Sequence, residues 1–281
     1  LKASDKNRIA AARAFIFDMD GTLVLGSAGG GSFAPLPGAA ALLARLRGRG
    51  TPFRVFTNGT AKIPALYAAA LRDAGLDVLN EEMMTPATSA ADWFVRRRIK
   101  RVRALGGEGL AQPLREAGIE VIGPEETAER VEAVLTGWYK EFSLADMERA
   151  CRDIWAGAML TTSSNVPFFA TAGGRSIGHS FAINAAIRSL TEKRARILGK
   201  PSREAMACAL RRMGLPASAG ARAVVVGDDP ALEMRLAKNS GAMGVAVTTG
   251  ILDRAALSLT HKEERPDLVL DSLEPLMEAL A

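Results

Sequence analysis

Six short runs, apolar or nearly so and set apart by helix-length segments, constrain the fold of this 281-residue chain more than any other feature. They are Ala14-Phe15-Ile16-Phe17, Phe53-Arg54-Val55-Phe56, Ala195-Arg196-Ile197-Leu198, Ala223-Val224-Val225-Val226, Gly244-Val245-Ala246-Val247 and Asp267-Leu268-Val269-Leu270. Runs this short, without alternation of apolar and polar residues, suit strands covered on both faces, which is the habit of parallel sheets. Helical patterns fill the intervals at 38–49, 63–74, 201–213 and 230–239. Pro201 and Pro230 are expected in first helical turns, where a missing N–H costs little. Alternating strand and helix gives an α/β fold, a doubly wound parallel sheet of Rossmann-like type.

In such sheets ligands gather beyond the carboxyl ends of the strands. Four of the six runs are followed at once by a polar cluster: Asp18-Met19-Asp20, Thr57-Asn58-Gly59-Thr60, Gly199-Lys200 and Gly227-Asp228-Asp229. All four clusters are expected at one edge of one sheet. The stretch from Asp20 to Thr57 has room for a loop and one helix, whereas Thr57 to Lys200 is long enough for a whole inserted domain. The middle of the chain has strand candidates of its own at 100–105, 119–122, 131–135 and 158–161. The expected organisation is a core from 1–85 and 189–281 with an inserted α/β domain at 86–188. Residues 28–32 (Ala-Gly-Gly-Gly-Ser) read as one mobile loop.

Composition removes several function classes. Hydrophobic residues at 48% and charged residues at 24% are globular values, so wholesale disorder is excluded. Charges interrupt every apolar run before membrane-spanning length, and the first residues lack the apolar stretch of a secretory signal. Two cysteines, Cys151 and Cys208, cannot form a disulfide framework, and a cytoplasmic protein with two reduced, buried thiols is expected. The net charge of +5 is mild, and the basic run around Arg96-Arg97-Arg98-Ile99-Lys100-Arg101 lacks a nucleic-acid-binding module beside it. Two histidines, His179 and His261, argue against a His-rich metal site. Leu105-Gly106-Gly107-Glu108-Gly109-Leu110 lacks the spacing of a dinucleotide fingerprint and reads as a turn.

The polar clusters together meet the demands of phosphoryl transfer. A carboxylate at a strand end, ionised at neutral pH and close to a divalent cation, is a competent nucleophile toward phosphorus, and Asp18 is placed for that. A second carboxylate, Asp20, brought round by Gly21, is suited to protonate the leaving oxygen and later deprotonate water. Thr57 offers a hydroxyl, and the Asn58-Gly59 amides are expected to open a helix and bind an anion. Lys200 adds positive charge. Asp228 supplies a hard oxygen for Mg2+, which favours few protein ligands plus waters and phosphate.

In these residues and their order the chain resembles the haloacid dehalogenase-like (HAD) hydrolases. Phe17-Asp18-Met19-Asp20-Gly21-Thr22-Leu23, Thr57-Asn58-Gly59-Thr60, Gly199-Lys200-Pro201-Ser202 and Val226-Gly227-Asp228-Asp229 are similar to that family's four motifs. The position of the insertion resembles the class IIA branch, the 4-nitrophenylphosphatase, phosphoglycolate phosphatase and ribonucleotide monophosphatase group. The resemblance implies a HAD core with an inserted cap, working as a Mg2+-dependent phosphatase on a small phosphomonoester through an aspartyl-phosphate. It implies Asp18 as nucleophile and metal ligand, and Asp20 as general acid/base with its backbone carbonyl on the metal. It further implies Thr57, Asn58 (through its backbone) and Lys200 on the phosphate, and Asp228 on the metal. Asp229 and Glu233 are candidates for indirect metal contact. The implied partner is a small phosphorylated metabolite, with neither nucleic acid nor membrane and with a homo-oligomer allowed.

Two departures from the branch's pattern stand out. Leu232 replaces the Thr of the fourth motif and Glu233 its last Asp, which keeps open a catalytically weakened binding protein as the alternative reading. A phosphoryl-transfer mutase fits less well, because mutases of this superfamily resemble a cap placed between the first and second motifs. In the insertion, Thr162-Ser163-Ser164-Asn165-Val166-Pro167 stands where the branch often carries Thr-Asn-Pro-Asp. Ser163, Ser164, Asn165 and Arg175 are the candidate substrate-reading residues there, while His179 reads as a packed or solvent-exposed histidine.

Overall fold

A computed structural model describes residues 1–26, 32–171, 174–255 and 260–281, and the side chains of 169–175 lie outside that description. The loop expected at 28–32 therefore falls almost wholly outside the described residues. Contacts divide the chain into two units, Leu1–Thr57 with Ala65–Met84 and Pro201–Ala281, and Asn58–Pro64 with Thr85–Lys200.

The first unit is built on a six-stranded sheet in the order Leu268–Leu270, Met243–Val247, Ala223–Gly227, Ala14–Phe17, Phe53–Phe56, Met83–Met84. Every pairing in it is parallel. The period of two explains why the strands read as unbroken apolar runs. Phe15, Phe17, Val224 and Val226 face one core layer with Leu42, Leu46 and Leu71, while Ala14, Ile16 and Val225 face the other with Met206 and Leu210. Burying each of the larger side chains contributes about 1.5–3 kcal/mol. The first strand lies in the middle, and the chain runs outward from it first to one side and then to the other. The carboxyl end of Ala14–Phe17 is therefore the topological switch point, where a crevice opens.

The second unit repeats the architecture at smaller scale. In its main sheet the five strands, Arg196–Ile197, Met159–Thr162, Ala133–Thr136, Arg101–Leu105 and Glu120–Ile122 in sheet order, are again all parallel, and Phe168–Thr171 and Gly174–Ile177 form a separate antiparallel pair. Helices Pro86–Arg96, Glu108–Glu116, Leu144–Trp155 and His179–Thr191 accompany them. Inside this unit the buried Arg103 guanidinium pairs with Asp153 at 2.5 Å and donates to the carbonyls of Gly123 and Glu126. This arginine, two residues past the basic run, is thus structural, whereas Arg96, Arg97 and Arg98 are exposed.

The run Ala195-Arg196-Ile197-Leu198 is not a strand of the main sheet. Arg196–Ile197 pairs with Thr161 and Thr162 at the edge of the second sheet, so residues 189–200 pack with the second unit. Two residues with one charge among them suit an edge rather than a buried interior. The helix expected from Pro201 starts later, at Arg203, because the Ser202 hydroxyl caps it by accepting from the Ala205 N–H at 3.1 Å. Both cysteines are buried and neither is in a disulfide. Among the described residues no helix is long and apolar enough to cross a membrane.

Candidate active site

Asp18 directly follows Phe17, and its N–H still donates to the Val226 carbonyl at 2.9 Å. The first strand is therefore registered against Ala223–Gly227 up to the residue where the side-chain chemistry begins. Beyond it the chain turns sharply. Gly21 has φ +75°, a left-handed conformation that glycine adopts without strain. The N–H groups of Leu23 and Val24 both donate to the Met19 carbonyl, and Gly21 N–H donates to Val24. These backbone bonds close the turn and leave Asp18 half-buried and Asp20 exposed.

Asp228 ends the neighbouring strand and is buried. Its Oδ2 accepts from the Ile251 N–H at 2.8 Å. A Cβ added to Gly21 would lie 2.3 Å from this oxygen, and one added to Gly250 would lie 1.9 Å from it. Two glycines thus leave the slot that the carboxylate fills. On the other side of the first strand, buried Thr57 ends Phe53–Phe56, with its N–H donating to Met84. Asp18, Thr57 and Asp228 therefore stand at the carboxyl ends of three adjacent parallel strands, at the switch point.

The other candidates are placed differently. Asn58 and Lys200 both belong to the second unit, and there they are joined directly. Asn58 Oδ1 accepts from the Lys200 N–H at 2.9 Å and Asn58 Nδ2 donates to the Lys200 carbonyl at 3.0 Å. The expected helix start at Asn58-Gly59 is absent, since the next helix is Pro64–Asp73, six residues on. Thr60 is taken up elsewhere: its hydroxyl accepts from the Trp138 N–H at 2.9 Å. Asp229 caps the turn Pro230–Met234 by accepting from Ala231 N–H at 2.9 Å. Glu233 is buried and folds back, its Oε2 accepting from Asp229 N–H at 3.1 Å. Its extra methylene has a visible place, because a Cβ on Gly227 would lie 2.1 Å from Glu233 Cγ.

In the second unit Ser163 and Ser164 are buried, and Thr162 Oγ1 donates to the Ser164 carbonyl. Asn165 Oδ1 accepts from Asn184 at 3.4 Å. The side chain of Arg175 lies outside the described residues. His179 stacks on Trp138, with centroids 5.4 Å apart, and its Nδ1 lies 3.2 Å from the Tyr139 carbonyl. Gly109 belongs to a helix, where a Cβ would lie 2.3 Å from the Thr60 carbonyl oxygen. The glycine-rich run thus serves close packing within the chain.

One contributor is missing from the sequence reading. Thr249 Oγ1 donates to the Gly21 carbonyl at 2.6 Å, and two residues on the Ile251 N–H donates to Asp228. The signal was present: Thr248-Thr249-Gly250 follows the run Gly244–Val247, a fifth polar cluster at a strand end.

The donor chemistry suits magnesium. Asp18 and Asp228 offer hard carboxylate oxygens on adjacent strand ends, with the polar backbone of the Asp18–Gly21 turn beside them. Among the described residues no three His, Cys, Asp or Glu side chains gather as a ready cage. Magnesium does not need one, since it usually keeps several waters beside one or two carboxylates.

Comparisons with known proteins agree with this geometry. A model of the haloacid dehalogenase-like hydrolases matches residues 15–120, and a HAD-hydrolase-like model matches 197–276. Chronophin of Mus musculus is 27% identical over 96% of this chain and 93% of its own length. The crystal structure of 4-nitrophenylphosphatase from Thermotoga maritima superposes with a TM-score of 0.85 at 25% identity, covering 98% of this chain and 99% of that one. Glycerol phosphate phosphatase from Mycobacterium tuberculosis in complex with magnesium gives a TM-score of 0.82 at 26% identity, covering 98% and 80%.

Proposed function

The chain belongs to the haloacid dehalogenase-like hydrolases, and from that premise we propose that it is a Mg2+-dependent phosphatase hydrolysing a small phosphomonoester through an aspartyl-phosphate on Asp18. The observation that carries the reading is the row of Asp18, Thr57 and Asp228 at the ends of three neighbouring strands, with Asp18 at the switch point. Similar proteins named as phosphatases, one solved with magnesium, support it.

Asp18 attacks phosphorus with a carboxylate oxygen while the bond from phosphorus to the alcohol oxygen breaks. Asp20, exposed on the turn two residues on, gives its proton to the departing oxygen. The same carboxylate then takes a proton from water, whose oxygen attacks phosphorus. The acyl phosphate bond breaks, inorganic phosphate leaves and Asp18 is restored. The resemblance assigns Thr57, the Asn58 backbone and Lys200 to the phosphoryl oxygens, and Asp18, the Asp20 carbonyl and Asp228 would hold the metal. Magnesium held there would supply positive charge against the phosphoryl oxygens, which is the main demand of this chemistry. Asp229 and Glu233 act one step removed, by shaping the loop that carries Asp228.

Residues 86–188 are assigned as the cap that selects the alcohol group and excludes bulk water, with Ser163, Ser164, Asn165 and Arg175 as its substrate-reading candidates. The occupant of the site is a small phosphorylated metabolite. The test is release of 4-nitrophenol from 4-nitrophenyl phosphate with and without Mg2+, beside acid-quenched protein examined by mass spectrometry. A phosphorylated peptide containing Asp18 is expected. Metal-independent turnover, or a label on another residue, refutes the mechanism.

A further inference from the structure

Asn58 opens the second unit and Lys200 closes it, 142 positions apart in the chain. The Asn58 carboxamide meets Lys200 as the peptide of a neighbouring strand would: one atom accepts from its N–H and the other donates to its C=O. The residue before Lys200 makes room for this. A Cβ on Gly199 would lie 2.8 Å from Asn58 Oδ1 and 2.2 Å from the Ser163 carbonyl oxygen. Lys200 is 1% exposed, so its backbone is held in a packed setting. An ammonium on a flexible four-carbon stem is a loosely aimed charge, and its aim depends on how firmly the stem is rooted.

We propose that the Asn58 side chain is a positioning residue for Lys200, fixing the backbone from which the ammonium serves the phosphate. This rests on the assignment of Lys200 to phosphate made above, and it gives Asn58 a task beyond its backbone contact. Gly199 belongs to the same device, since it leaves the space through which the carboxamide reaches Lys200.

The test combines Asn58→Ala or Asn58→Gln with Lys200→Ala in double-mutant cycles on the full chain. The readouts are kcat/KM for 4-nitrophenyl phosphate, inhibition by inorganic phosphate, and hydrogen exchange at the Lys200 amide without ligand. Asn58→Ala is expected to lower kcat/KM by about 10- to 100-fold, the scale of a small misplacement near the chemistry. It is also expected to weaken phosphate inhibition and to speed Lys200 amide exchange. In the Lys200→Ala background the same change is expected to cost less than about twofold, because residues acting as one unit are not additive. Should Asn58→Ala fold poorly, Asn58→Gln, which keeps the carboxamide but moves it by one methylene, is expected to show the same non-additivity with Lys200→Ala. Equal fold-losses in both backgrounds, or faster exchange with phosphate inhibition unchanged, overturn the proposal. A wild-type chain that neither turns over nor binds phosphate overturns the functional reading and this inference with it, whereas active wild type with multiplicative losses overturns the inference alone.

Discussion

The two sheets of this molecule share one architecture and part company at their carboxyl ends. In the first unit the strands at the switch point end in Asp18, Thr57 and Asp228, and glycines at 21 and 250 keep space around the buried carboxylate. In the second unit the switch point lies beyond Arg101–Leu105 and Ala133–Thr136, and the chain itself fills it. Trp138 N–H donates to Thr60, and the carbonyls of Thr60 and Lys62 lie where a Gly109 side chain would be. Hydroxyls at the neighbouring strand ends satisfy one another and the backbone, Thr136 Oγ1 donating to Thr162 Oγ1 at 2.8 Å and Thr161 Oγ1 donating to the Val134 carbonyl. A parallel sheet thus supplies a crevice, and the residues at its rim decide whether a ligand or the protein's own backbone occupies it.

The strongest way to break this comparison is at the carboxylates. Asp18→Asn is expected to lower kcat by at least about 10^4, as loss of a nucleophile does, and Asp20→Asn by about 10^2–10^4 with metal binding largely kept. Initial rates and magnesium titrations check both. Wild-type rates in either variant would place the chemistry elsewhere.

A matched pair of glycines sharpens the contrast. Gly21→Ala and Gly109→Ala each put a methyl group 2.3 Å from an oxygen, Asp228 Oδ2 in one case and the Thr60 carbonyl in the other. Each is expected to destabilise the protein by about 1–3 kcal/mol in urea unfolding through overpacking, and Gly21→Ala by about 1–2 kcal/mol more, because alanine is strained at φ +75°. Only Gly21→Ala is expected to raise the magnesium concentration needed for half-maximal activity, while Gly109→Ala keeps it within about twofold. Equal effects on magnesium would erase the distinction between the two crevices. The smallest effect belongs to the second sheet's hydroxyl pair. Thr136→Val is expected to cost about 0.5–1.5 kcal/mol by removing the hydrogen bond donated to Thr162 Oγ1, which keeps its own bond to the Ser164 carbonyl, with kcat unchanged.

Much of this was legible because burial on both faces leaves an unmistakable trace: unbroken apolar runs such as Ala223–Val226, and polar residues where those runs stop. Four strands of the insertion, at 101–105, 120–122, 133–136 and 159–162, were legible for the same reason, whereas the antiparallel pair Phe168–Thr171 and Gly174–Ile177 was not. The run at 195–198 misled because two edge residues beside Leu198 look much like a short buried strand, and which sheet accepts an edge strand is decided by tertiary packing. The false helix start at Asn58 has a similar origin. Its carboxamide suits a helix cap, yet it is spent on Lys200, a partner 142 residues away that no local pattern reveals. Glu233 shows the reverse case, a visible departure whose accommodation against Gly227 only packing discloses.

The most direct measurement is a crystal structure of the wild-type protein grown with magnesium. One ion bonded to oxygens of both Asp18 and Asp228, at about 2.0–2.1 Å from each, is the expected result. An ion held by only one of the two, or bound away from both, would contradict the account.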